Sequence, residues 1–553
     1  MASTFFGLTI AYTGLQAAQT SINVTSHNLA NINNQAYTKE TASIKAGEAL
    51  RSYAKYGTLG AGVIVDAINQ TRDSYYDEKY RNNYTNYGQY NVKDTYMSQI
   101  QNYLNEFTLK GYSTEYENFF AALNQLDLTP ADTSAKNQLI NNAKSMTDYF
   151  NTLATNLRNV QIDANNEIKD TVNQINSLAQ SISSLNKQIN QIQANYGNAN
   201  DLKDERNALI DDLSKLVNIS VSETDIGNNL TDLQITINGN SLVNGYNYHT
   251  LQTVSRDEPR NVSDAAGLYD IQWETGQPFN IYSTSLGGEL KGLIDIRDGC
   301  NGEIEKYATT TDDDGNETYK TDAEGNILTD TVSKVDSNTN YKGVPYYQAQ
   351  LNQFIQTFVS SINEILTKGV TSDGSASGIP LFVMSDGSKA LTASSVTVNQ
   401  DLIDNADLLA TKYKESDGEA NTSLIVDLIN SKDAKIYDGG TGTYFLESIV
   451  SDMSIDASKA INFTKNYNNL KTTIQNQRLS VMGVDTDEEA IAKDNETYTG
   501  CKNAGTTLAT NTSQKLPAKA DITLQTKKVP KDIIIIVLRL YLDNNKGNIG
   551  PDT

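Results

Sequence analysis

Between Leu8 and Leu29 the apolar positions keep a helical period: Leu8, Leu15, Ile22 and Leu29 stand seven apart, and Phe5 and Tyr12 precede the first two by three. This is half of a coiled-coil seam. The other faces carry Thr, Gln, Ser, Asn and Ala, and no Asp, Glu, Lys or Arg occurs before Lys39. A solvated helix normally carries charge on its outer face. This one therefore reads as a helix surrounded by protein in an assembly, the alternative being an ordinary packed helix. "NINNQAYTKE" then breaks the period, as a turn into a second element should.

A second, longer pattern runs from Thr133 to Tyr196 without Pro or Gly. Leu139, Ala143, Met146, Phe150, Leu153, Leu157 and Val160 alternate steps of four and three; Ala164, Ile168 and Val172 follow at steps of four before Ile175, Ile182, Leu185, Ile189 and Ile192. That is a heptad seam with one stutter. At 1.5 Å per residue it predicts a rod on the order of 90 Å, with 90–107 and 443–481 as candidate partners. After Asn198 the period drops to two. "ISVSETD", "LQITINGNSLVNGYNYHTLQTV" and "YDIQWETG" predict strands, with Asn238-Gly239 and Asn244-Gly245 as hairpin turns. Tyr346–Gly369 returns to helical spacing through Leu351, Phe354, Phe358, Ile362 and Ile365. Residues 309–342 predict an exposed hairpin or loop.

Composition narrows the picture. The chain has 553 residues, 67 acidic against 44 basic, and a formal net charge of -23, which disfavours nucleic acid and anionic lipid as partners. Mean hydropathy is -0.48, polar for this length, and points to an elongated protein with much surface per core. Only Cys300 and Cys501 and only His27 and His249 are present, so neither a disulfide framework nor a Cys/His metal site is expected. No cofactor is expected. "DDDGNE" at 312–317 resembles a calcium loop, but Thr310 and Thr321 fill the first and twelfth positions, so a solvated acidic turn is the better reading. Walker glycines, a nucleophile elbow and HExxH are all missing from the sequence, and an enzyme is not expected. The start lacks a basic n-region, and no apolar run is long enough to span a bilayer; alone, these signs indicate the cytoplasm, except for substrates of a signal-less export route. Tyr outnumbers Phe by 31 to 12, which suits surfaces exposed before assembly and buried after it, or simply sheet and rod surface.

The first segment carries a resemblance. "GLTIAYTGLQAAQTSINVTSHNLANINNQAYTKE" resembles the amino-terminal signature of the flagellar rod, hook and hook-associated axial proteins, S-x-N-[LIV]-A-N-x-[NS]-x-x-[GA]-[YF], filled here by Ser26, Asn28, Leu29, Ala30, Asn31, Asn33, Ala36 and Tyr37. "YDEKYR", "ENFFAALNQLDLTPAD", "NDLKDERNALIDDLSKLV", "GGELKGLIDIRDG" and "RLSVMGVDTDEE" extend the likeness to the hook–filament junction members of that family, over 1–489. The resemblance implies an α+β, elongated multidomain protein. It would have an assembly helix and turn in 1–50, a helical coiled-coil rod from 51–218 with 440–489, a β-rich domain in 219–300 and a variable outer region in 301–439 containing helix 346–367. Its termini would be disordered or coiled coil. It implies a structural protein of the extracellular flagellum, exported uncleaved through the type III channel, with copies of itself, the hook protein, the second junction protein and an export chaperone as partners. Neither nucleic acid nor membrane would be bound. Leu8, Leu15, Ile22, Ser26, Asn28, Leu29, Ala30, Asn31, Asn33 and Tyr37 would carry assembly. The alternative is a surface adhesin or host-receptor ligand using the β-rich middle.

Residues 490–553 depart from the pattern. The family ends in a second heptad helix, whereas here Gly500, Gly505, Pro517 and Pro530 interrupt the period and "IIIIVLRLYL" reads as an aggregation-prone strand. So abrupt a change points to a shifted reading frame, then to a cloning artefact, then to a genuine variant. The tail is expected to be poorly ordered, to leave Leu8, Leu15, Ile22 and Leu29 without their usual partner, and residues 1–40 to fray.

Overall fold

The computed structural model describes residues 6–513, apart from 52–56, 107–111, 229, 312–316, 324, 334–339 and 386. Its helices are α1 Phe6–Ala30, α2 Ser74–Glu106, α3 Tyr112–Leu128, α4 Thr133–Gln193, α5 Asn200–Leu216, α6 Gly288–Asp298, α7 Val344–Leu366, α8 Gln400–Asp404, α9 Ser423–Asn430, α10 Gly442–Met482 and α11 Thr486–Ser513. Small antiparallel sheets lie among them, the largest having four strands, Ser220–Gly227, Leu230–Ile237, Asn240–Asn244 and Asn247–Tyr248. The chain is α+β. It divides into two compact units: Asp77–Gly197 with Arg206–Ile474, and Met1–Tyr76 with Asn198–Glu205 and Gln475–Thr553.

In the larger unit, α4 is one unbroken helix of 61 residues. Asp132 caps it, its carboxylate accepting from Ser134 N at 2.9 Å, which satisfies one of the first unpaired amides. From Leu139 to Ile189 the predicted seam residues are all buried, through the stutter at Ala164, Ile168 and Val172; Ile192 is half-buried. The seam shares one core cluster with buried residues of α2 and α10, the candidate partners, and the Tyr96 hydroxyl of α2 donates to Glu167 of α4 at 2.6 Å, but its broadest cover lies elsewhere. It meets mainly α3, α6, α7 and strand edges, because α3 carries Phe119, Phe120, Leu123 and Leu126 on one buried face while α10 turns its aromatic residues elsewhere. Phe445 of α10 faces Phe354 of α7 at 6.5 Å, and Phe463 of α10 lies 4.8 Å from Tyr90 of α2. Ile449 and Met453 are buried as expected, but Leu470 is exposed.

The polar positions beside the seam have a purpose that periodicity does not reveal. Asn176 donates through Nδ2 to Leu251 O at 2.8 Å and accepts from Leu251 N at 2.8 Å. Asn190 makes the same pair of bonds with Thr231, at 2.7 and 3.1 Å. Asn165 accepts from Tyr269 N, Gln161 accepts from Ala265 N, and Asn186 donates to Gly245 O. A carboxamide carries the same donor and acceptor as a peptide group. The helix thereby completes the hydrogen bonding of strand and turn residues packed against it. The turns that deliver these strands match the sequence: Asn238 and Gly239 both have positive φ, 49° and 80°, as a type I′ hairpin requires.

Glu305 is 2 % exposed. Its Oε1 accepts from Asn352 Nδ2 at 2.7 Å and Thr329 Oγ1 at 2.9 Å, and burial raises its pKa against the opposing pull of those bonds.

Residues 6–30 are helical rather than frayed, and 1–5 lie outside the described residues. The segment after Glu489 continues as α11 through Gly500 and Gly505 to Ser513. Two helical glycines cost about 2 kcal/mol together, but packing on α1 and an N-cap from Asp485, whose Oδ1 accepts from Asp487 N at 2.9 Å, offset that cost. Residues 514–553, which include Pro517, Pro530 and the Ile run, lie outside the described residues, as do 312–316 of the acidic turn.

Asn176→Ala leaves the Leu251 amide and carbonyl unpaired; the expected loss is about 1–3 kcal/mol, measured by urea unfolding. For Glu305 the raised folded pKa means that its stabilisation is complete below the unfolded carboxyl pKa and is lost as pH rises through the folded value. The stability of Glu305→Gln relative to the native chain should therefore increase from about pH 4.5 upward and then level off, read from urea midpoints across that range.

Candidate assembly site

The signature sits in the smaller unit, where α1 turns into a strand. Asn28 is 1 % exposed. Its Nδ2 donates to Glu40 O at 2.9 Å, and its Oδ1 accepts from Glu40 N at 3.0 Å and from the Tyr37 hydroxyl at 2.8 Å. One side chain thus grips both backbone groups of a residue twelve positions on, as a paired strand would. Asn31 closes the helix end, its Nδ2 donating to His27 O at 3.1 Å, and Asn34 accepts from Ala36 N in an Asx turn. Glu40 then opens the strand Glu40–Ala46, paired antiparallel with Val63–Gln70. Before the second strand, Gly62 has φ +94°, and a Cβ there would fall on Thr13 Oγ1 of α1; only glycine fits.

Two distant segments lock onto this turn. From the start of α5, the Asp204 carboxylate accepts from Thr38 N and Thr38 Oγ1, both at 2.9 Å, and pairs with Arg72 at 3.2 Å. Burial pushes the Asp204 pKa up, and the Thr38 and Arg72 interactions offset part of that. Asn200 donates to Glu40 Oε1 at 2.7 Å. From the carboxy side, Met482 O accepts from Lys39 N at 2.8 Å, and Lys39 Nζ reaches Glu488 at 2.8 Å and buried Glu489 at 3.2 Å. Burial, with Glu40 and Asp201 nearby, lifts the Tyr37 pKa far above its usual value; the phenol stays neutral and keeps donating to Asn28.

Along α1 the buried positions are Ala17, Ala18, Ser21, Val24, Thr25 and Asn28, one residue out of phase with the predicted seam. α11 runs antiparallel against this face: a Cβ on Gly500 would meet Ala18 Cβ at 3.7 Å, and one on Gly14 would meet Asn503 Nδ2 at 3.0 Å. Leu8, Leu15, Ile22 and Leu29 are therefore only half-buried, at the margin of the interface, because small side chains let the two backbones approach where leucines would hold them apart. Asn28 and Tyr37 are buried, Asn31 is half-buried, and Ser26, Ala30 and Asn33 are exposed. Glu40, Asn200, Asp204 and Met482 were not singled out from sequence. Their segments were quoted for resemblance, but nothing in a linear pattern joins residues more than a hundred positions apart.

Residues 97–382, just over half of the chain, match the family described as flagellar hook-associated protein FlgK, helical domain. The chain belongs to the FlgK family. It is similar to flagellar hook-associated protein 1 of Bacillus subtilis (strain 168), 27 % identical over 507 residues, 88 % of this chain and 93 % of that protein. It is likewise similar to flagellar hook-associated protein 1 of Escherichia coli (strain K12), 27 % identical over 527 residues, 87 % of this chain and 93 % of that one. The solved flagellar hook junction protein FlgK from Burkholderia pseudomallei aligns with a TM-score of 0.41 at 21 % identity, covering 56 % of this chain and 47 % of that chain. As a FlgK-family member, this chain is a structural component of the bacterial flagellum at the hook–filament junction. None of these matches points to the adhesin alternative.

Asn28→Ala would leave the Glu40 amide and carbonyl and the Tyr37 hydroxyl without their partner in a buried site. The expected cost to the smaller unit is at least ~2 kcal/mol. Amide exchange should show lost protection at Glu40 and in α1, with protection along α4 unchanged.

Proposed function

We propose that this chain builds the junction by packing copies side by side through the outward faces of α1 and α11, with the hook protein on one side and the second junction protein on the other. It acts outside the cell, after uncleaved export through the flagellar channel in the keeping of an export chaperone, and no catalytic step is involved. One observation carries the reading: α1 has no charged residue, yet presents Tyr12 at 54 % exposure, while α11 beside it exposes Ile491 and Tyr498. Uncharged and aromatic faces left open on a monomer gain by burial against neighbours. Within the signature, Ser26, Ala30 and Asn33 together with Leu8, Leu15, Ile22 and Leu29 make the contacts, and Asn28, Asn31 and Tyr37 hold the turn that presents them.

Tyr12→Asp places a charge where only an assembled neighbour would bury it. Expression in cells lacking the native protein should give at least a roughly tenfold loss of incorporation, about 1.4 kcal/mol or more, with filament protein shed to the medium. The purified variant should keep the thermal midpoint of the native chain. Normal filaments would refute the assembly face; a collapsed midpoint would assign Tyr12 to the monomer fold.

A further inference from the structure

We propose that His27 and Asp201, with Glu40 behind the imidazole, form a divalent-cation site at the end of α1. Each of the three offers a ligand atom within 4.8 Å of the others. They come from α1, from the first strand residue after the turn, and from the start of α5.

The hydrogen bonds around His27 determine which ring nitrogen is available. A tyrosine hydroxyl has one hydrogen, and Tyr37 gives it to Asn28 Oδ1 at 2.8 Å. Its 3.1 Å contact with His27 Nδ1 must therefore be made by a hydrogen on Nδ1, which also faces Glu40 Oε2 at 3.5 Å. In that tautomer Nε2 carries an unshared pair, and Nε2 lies 3.9 Å from Asp201 Oδ1. Two acceptors facing across such a gap repel unless a proton or a metal cation lies between them.

A metal bound at about 2.0–2.2 Å to an imidazole nitrogen and a carboxylate oxygen needs donors slightly closer than this pair. Asp201 is 71 % exposed and has room to close the difference. Glu40 stands where an orienting carboxylate belongs, behind the ring on the Nδ1 side. It is itself held, since its Oε1 accepts from Asn200 Nδ2 at 2.7 Å. Solvent would fill the remaining coordination positions. An imidazole with carboxylate oxygens favours zinc and neighbouring transition ions over magnesium or calcium. A bound ion would fasten the end of α1 to the start of α5 at the turn that carries the signature.

Titration calorimetry of the full chain without a polyhistidine tag, with Zn²⁺ as the probe at neutral pH, tests the site. One saturable site is expected, weakened at least roughly tenfold by His27→Gln and by Asp201→Asn, and about tenfold by Glu40→Gln, the usual scale for an orienting carboxylate. His249→Gln and Cys501→Ser should leave it unchanged. Asp201→Asn alters only an exposed side chain and remains informative if His27→Gln fails to fold. No saturable binding, binding that survives Asp201→Asn undiminished, or binding lost with Cys501→Ser would each overturn the proposal.

Discussion

A 61-residue helix with one continuous apolar stripe cannot remain single in water, and the larger unit is organised by that constraint. Each turn of α4 must find a cover, and the chain supplies different ones in sequence: α3, then α7, then α6 and the strand edges. Burying a side chain of Leu or Ile size contributes about 1.5–3 kcal/mol, so a seam of this length dominates the unit's stability. The helix also meets strands, whose open edges need donors and acceptors. The Asn and Gln residues flanking the seam supply them. The same helix therefore acts as a hydrophobic spine on one stripe and as a substitute strand edge along its border.

The smaller unit depends on a different device. Its pieces come from three parts of the chain, and where α1 meets α11 the buried positions of α1 are mostly small or polar, Ala17, Ala18, Ser21, Val24, Thr25 and Asn28, so no stripe of large apolar side chains holds it. Asn28 holds Glu40, Asp204 holds Thr38, and Met482 O holds Lys39 N, each through backbone groups that would be costly to leave unpaired. Backbone bonds specify a geometry rather than a residue type at the far end. That is why the signature keeps Asn and Tyr at the turn while the outward positions of α1 can remain small and uncharged. Such an arrangement places a neutral helix at the surface without requiring it to stand alone, as the proposed packing against other copies would need.

α11 illustrates how tertiary context overrides local preference. Gly500 and Gly505 weaken an isolated helix, and the pattern after Glu489 argues against one. Gly500 is nonetheless buried in the contact with α1, where a Cβ would meet Ala18 Cβ at an ordinary 3.7 Å, so packing offsets the cost of the glycine without requiring it. The same close approach explains the phase of α1: the backbones come together over Ala17, Ala18 and Ser21, which moves the leucines to the border.

The sequence by itself determined what depends on periodicity and local turn chemistry. The seam of α4, the strands from Ser220 onward, the Asn-Gly hairpin, the helix near 346–367 and the turn after Leu29 all follow from spacing, because burial on one face imposes a period that a linear pattern preserves. The resemblance of the first segment reached the family for a related reason, since the turn needs particular residues at fixed offsets. Tertiary structure alone decided which surfaces cover the α4 seam, which face of α1 is inside, and that Glu40, Asn200, Asp204 and Met482 converge on Thr38 and Asn28. Those outcomes depend on distances between residues far apart in the chain, and hydrogen-bond complementarity across such distances leaves no periodic trace.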